Sequence, residues 1–206
     1  MFNSGFVPSI IDGSEDIFEA PKNMGFPKQF SYMKYLPNVL DQGLYPTCVP
    51  CSISAFLNWD LNLPTGSKDD NSVAIFEIFD KGDGAEDGMT FKSAFKVLRT
   101  EGVSTDKGNV KIKRYAKINS SMALKFALIT NGPCVGALPV YNSAVDEFWA
   151  GNSRYIEGYH AIAIVGYNED GFIIRNSWGK SYGENGYFFL KNEEINKFLE
   201  IWTLIR

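Results

Sequence analysis

The chain has 206 residues, 45% hydrophobic and 21% charged, which is enough to bury a sizeable core as one compact unit. A formal net charge of −4 and a pI near 5.1 leave no basic footprint for nucleic acid. No window holds the run of about 20 apolar residues that a bilayer span requires, so neither nucleic acid nor membrane is expected as a partner.

The start of the chain carries Asp12, Glu15 and Asp16 and lacks the basic start and apolar centre of a signal peptide. Cys48, Cys51 and Cys134 cannot all pair, which fits a reducing compartment. The expected location is the cytoplasm or a phage or virus particle. Residues 1–40, rich in Pro, Gly and polar residues, read as an irregular lead segment.

From Cys48 the pattern turns helical: Ile53, Phe56, Leu57 and Leu61 recur on one face until Pro64 and Gly66 stop the run. Further helices are predicted over Ser72 to Lys81, Thr90 to Thr100 and Ser121 to Thr130, with a short one after Asn142. Strands are predicted for Cys134 to Val140, His160 to Tyr167, Gly171 to Arg175 and Gly186 to Leu190, with Asn168 to Gly171 as a hairpin turn. Helices first and strands second imply an α+β fold, mainly helical over 41–115 and mainly β over 116–206.

His160 is the only histidine, so the search for a catalytic base is short. It opens an apolar strand. Asn176 follows within Arg175-Asn176-Ser177-Trp178-Gly179, and then comes Gly183-Glu184-Asn185-Gly186-Tyr187. The stretch from His160 to Leu190 resembles the papain family of cysteine peptidases, whose signature runs from a His at a strand start through a hairpin to Asn-Ser-Trp-Gly and Gly-x-Asn-Gly-Tyr. A second resemblance lies upstream, where Gln42 stands six residues before Cys48, as a Gln stands before the reactive cysteine in that family.

The resemblance implies a two-lobed papain-like fold with the cleft between the lobes, Cys48 as nucleophile, His160 as base, Asn176 as its orienting partner and Gln42 as oxyanion donor. Trp178 covers the His–Asn bond in the family and is counted with the substrate-binding set. Gly88 and Met89 take the place of the glycine-rich strand that pairs with a peptide backbone. Ala137 and Tyr159 are candidates for the wall of a side-chain pocket. Cys51 remains a rival nucleophile, because Cys48-Val49-Pro50-Cys51-Ser52 also mimics the Cys-Gly-Ser-Cys-Trp of secreted members, though it lies three residues too far from Gln42. The disulfides of those members are missing.

One histidine and three scattered cysteines form no zinc-type ligand set, and no phosphate loop follows a strand, so no metal or cofactor is expected. The implied reaction is hydrolysis of a peptide or isopeptide bond in a polypeptide substrate through a thioester. The alternatives are a cell-wall peptide amidase, or a papain-fold component of a phage or viral particle with a protein assembly partner.

Overall fold

In the computed structural model, which describes residues 5–145, 147–151 and 155–206, the lead segment is not purely irregular. It supplies two short strands, β1 (Ile17–Phe18) and β2 (Phe30–Ser31), laid onto strands from later in the chain. Two-residue strands carry no period, which is why composition alone reads them as coil.

The apolar run after Thr47 forms α1 (Cys48–Asn62), buried along nearly its whole length rather than on one face. Its polar side chains are satisfied inside the helix: Ser52 Oγ donates to Val49 O at 2.7 Å, Ser54 Oγ to Cys51 O at 2.7 Å, and Asn58 Nδ2 to Ser54 O at 3.0 Å. The next helix, α2 (Ile75–Lys81), starts later than the predicted Ser72. Asn71 is the reason. Its backbone N–H and side-chain amide both donate to Asn58 Oδ1, at 2.9 and 3.0 Å, and Ser72 sits at φ 50°. Only after that left-handed residue can the helix begin. In α3 (Phe91–Thr100) Thr90 is the N-cap and accepts from Ser93 N–H.

The hairpin of β3 (Val103–Thr105) and β4 (Gly108–Val110) accompanies the helices. The chain then enters the main sheet at β5 (Arg114–Ile118), one residue ahead of the expected divide at 115. After α4 (Ser121–Thr130) come β6 (Cys134–Val140), β7 (Gly158–Tyr167), β8 (Gly171–Arg175), β9 (Tyr187–Lys191) and β10 (Glu200–Ile205). The 8-stranded sheet runs β1-β5-β10-β6-β7-β8-β9, with β2 on β7, and is antiparallel except where β1 meets β5. The residues described after Asn142 form turns, not a helix.

Alternation along β7 sorts the core. Ala161, Ala163 and Val165 join the cluster containing α1, α2 and α3, whereas Ile162 and Ile164 join the cluster containing α4. The helical lobe and α4 therefore cover opposite faces of the sheet. Small side chains at Ala161 and Ala163 let α1 approach β7 closely, and this sets the first residue of the helix against the start of the strand. Among the described residues, no helix is long and apolar enough to cross a membrane.

Candidate active site

Cys48 opens α1, and Thr47 before it caps no N–H with its side chain. The first-turn amides are thus left for another acceptor. Burial pushes the thiol pKa up to about 11, while the N–H groups of Ala161, of Gly5 and, in the first turn itself, of Val49 and Cys48 draw it down. Ala161 N–H donates to Cys48 Sγ at 3.4 Å, so the sulfur lies against the residue that follows His160.

The hairpin joining β7 and β8 places His160 Nε2 2.7 Å from Asn176 Oδ1. Oδ1 also accepts the Ser177 N–H at 2.8 Å, which fixes the amide with its oxygen toward the ring. An oxygen there makes Nε2 the protonated nitrogen and leaves Nδ1 with the lone pair. Nδ1 is buried and has no hydrogen-bond partner among the described residues. Burial pushes His160 down to about 4, against the Asn176 side chain, which raises it. In this closed arrangement both thiol and imidazole are neutral.

Trp178, expected among the substrate-binding residues, is instead buried and stacks on His160 with centroids 4.3 Å apart. It covers the His–Asn bond and does not wall the cleft. Phe148, which carried no signal in the sequence, stands edge-on to His160 at 5.6 Å and touches Trp178 at 5.1 Å. Two rings exclude water from one hydrogen bond and strengthen it in a low dielectric.

Gln42 reaches this site through backbone pairing. Gln42 N–H donates to Ser177 O at 2.9 Å, Gly179 N–H to Leu40 O at 2.9 Å, and Asp41 bridges Trp178. The two sequence motifs are thus one structural unit. Ser177 Oγ donates to Gln42 Oε1 at 2.6 Å and Gln42 Nε2 to Tyr45 O at 2.8 Å, so both ends of the amide are fixed just ahead of α1. Ser177 lay inside the quoted motif without a role. Arg175 anchors the approach to Gln42 from below, donating to Pro37 O at 2.9 Å and Asn38 O at 2.7 Å.

Of the four other substrate-binding candidates, Gly88, Met89 and Tyr159 are brought together by a backbone track, which is filled by the chain's own start. Met89 N–H donates to Gly5 O at 3.1 Å, Val7 N–H to Met89 O at 3.0 Å and Phe6 N–H to Tyr159 O at 3.2 Å. A Cβ on Gly88 would lie 1.9 Å from Gly5 O, so the glycine there is a condition of that close approach. Ala137 is fully buried in β6, paired with Ala161 and Glu200, and is a core residue here. Cys51, one turn into α1, is buried beside Thr47 Oγ1 at 3.8 Å, with its pKa pushed up to about 12 by burial.

Residues 61–201, more than half of the chain, match the family described as Papain family cysteine protease. That span contains His160, Asn176 and Trp178 and begins after Gln42 and Cys48. The chain is 28% identical to a cathepsin B-like protein of Giardia intestinalis, over 85% of this chain and 71% of that one. It is 35% identical to a cathepsin B-like cysteine proteinase of Haemonchus contortus, over 37% of this chain and 26% of that one. In structure it is similar to xylellain, a cysteine protease from Xylella fastidiosa, with TM-score 0.82 at 22% identity, covering 98% of this chain and 95% of the other. A cysteine protease of Carica candamarcensis superposes with TM-score 0.71 at 19% identity, covering 87% and 99%.

Proposed function

Because the chain belongs to the papain family of cysteine proteases, we propose that it hydrolyses peptide bonds in polypeptides with Cys48 as nucleophile and His160 as general base and acid. The observation that carries the assignment of residues is the 2.7 Å contact of His160 Nε2 with Asn176 Oδ1 beside a sulfur seated on the Ala161 N–H. It leaves Nδ1 as the ring nitrogen with a lone pair to give.

The steps follow from that tautomer. His160 Nδ1 takes the thiol proton, and the thiolate attacks the scissile carbonyl carbon, forming a C–S bond while the carbonyl π pair moves to oxygen. The Gln42 amide and the Cys48 N–H at the helix start hold that oxyanion. As the C–N bond breaks, the imidazolium returns its proton to the amine, leaving a thioester. Water, deprotonated by the same Nδ1, then attacks the thioester and releases the acid and the thiol. Asn176 keeps the ring oriented throughout, and Trp178 and Phe148 keep water from its bond.

Met89 and Tyr159 would supply the substrate's backbone partners, with Gly88 leaving room for the chain to pass. The test is hydrolysis of fluorescein-labelled casein by the chain and by Cys48→Ser. Turnover that survives the substitution would remove Cys48 from the mechanism.

A further inference from the structure

We propose that Arg175, backed by Tyr187, is a positioning residue that sets Gln42 ahead of α1 by pinning the irregular segment 36–40 that leads to it. The proposal rests on the reading of Gln42 as the oxyanion donor. It gives a role to two residues of the quoted motifs that the reaction steps leave unused.

Residues 36–40 form neither helix nor strand, so no ladder of backbone bonds fixes where they run. Pro37 is buried, and its carbonyl needs a donor. Arg175 supplies one, and the fork of a single guanidinium reaches two successive carbonyls: Nη1 donates to Pro37 O at 2.9 Å and Nη2 to Asn38 O at 2.7 Å. Nη1 also donates to the Tyr187 hydroxyl at 2.7 Å. Tyr187 stands directly opposite Arg175 across β8 and β9, its ring centroid 5.7 Å from Arg175 Cζ, so the phenol steadies the fork from the neighbouring strand.

The chain from Arg175 to Tyr187 also holds the rest of the path to Gln42. Val39 packs so closely on Gly186 that a Cβ there would stand 2.7 Å from the Val39 side chain. Leu40 O accepts the Gly179 N–H, and Gln42 N–H donates to Ser177 O, both at 2.9 Å. Those two bonds secure the end of the segment nearest the site. Arg175 secures the other end, and without its fork the segment can pivot and carry the Gln42 amide with it.

The energetics favour a geometric role. A guanidinium only 5% exposed is costly to bury, and these three acceptors are neutral. An apolar side chain of similar volume would fill the space without that cost, but it would leave both carbonyls without their donor. Displacing a catalytic group by about 1 Å costs up to about 100-fold in rate, so partial release of this segment should cost on the order of tenfold.

The test measures hydrolysis of fluorescein-labelled casein by the full chain carrying Arg175→Lys or Tyr187→Phe, each alone and combined with Gln42→Ala. Arg175→Lys keeps the charge and loses the fork. It should lower kcat on the order of tenfold, with KM and the rate of Cys48 alkylation by iodoacetamide each within about twofold, and Tyr187→Phe should lower kcat about threefold. In the Gln42→Ala background both effects should vanish, because the amide they position is gone. If Arg175→Lys fails to fold, Tyr187→Phe decides, since it removes one hydroxyl. Unaltered kcat in folded variants, a loss that persists in full beside Gln42→Ala, or a loss carried by KM or matched by slower alkylation would overturn the positioning role. Turnover unaltered by Gln42→Ala alone would overturn the reading of Gln42, and the proposal with it.

Discussion

Asn176 Oδ1 lies 2.7 Å from His160 Nε2 and accepts the Ser177 N–H at 2.8 Å, so one oxygen joins the imidazole to the strand end that also carries Gln42's partner. Replacing Asn176 by Ala frees the ring to rotate and to exchange tautomers. Turnover of casein should fall on the order of 100-fold, mostly in kcat, because the orientation matters most when the proton moves. A fall confined to KM would contradict this role.

As the proposed oxyanion donor, Gln42 would act on charge that exists only in the transition state. Gln42→Ala should lower kcat on the order of 100-fold while leaving iodoacetamide alkylation of Cys48 nearly unaltered, since ionising the thiol needs no amide there. Ser177→Ala removes the 2.6 Å bond that holds Gln42 Oε1 and should cost on the order of tenfold in kcat. Its effect should vanish in a Gln42→Ala background.

The buried neutral pair gives stability a defined pH dependence. His160 titrates at about 4 in the folded chain against 6.5 for the free side chain, so the unfolded state binds the extra proton first and stability is lost as pH falls from 6.5 toward 4, by about 3 kcal/mol. Cys48 at about 11 against 9.0 works oppositely: the unfolded thiol ionises first, and stability is lost as pH rises from 9.0 toward 11. Thermal unfolding across pH should show both limbs, and His160→Gln should flatten the acidic one. An acidic limb of equal depth in that variant would assign it to carboxylates alone.

Cys51 serves as packing in this account. Cys51→Ala should leave casein turnover within about twofold and cost about 1 kcal/mol of stability, read as a shift in the denaturant midpoint. Loss of turnover with stability intact would return Cys51 to the mechanism.

The spacing of Gln42 to Cys48 and the run from His160 to Leu190 were readable because each function there depends on a fixed local geometry: a helix start, a hairpin, a strand end. Cys48 lies outside the span matched to the family, and its reading as nucleophile rests on its spacing from Gln42 and its place at a helix start. What stayed hidden depends on contacts between distant segments. Gly5 and Phe6 look like coil because their partners are Met89 and Tyr159. Strand β10 went unread because Glu200 and Thr203 interrupt an otherwise apolar run, although both are buried. The late start of α2 follows from Asn71 reaching back to Asn58, a pairing no local propensity records.

Activation of Cys48 by His160 is tested most directly by site-mapped alkylation. Under limiting iodoacetamide near neutral pH, mass spectrometry should find Cys48 labelled well ahead of Cys51 and Cys134. Adding His160→Ala should slow Cys48 on the order of tenfold or more while leaving the other two unchanged. Equal labelling of the three thiols, labelling led by Cys51, or a Cys48 rate indifferent to His160 would contradict it.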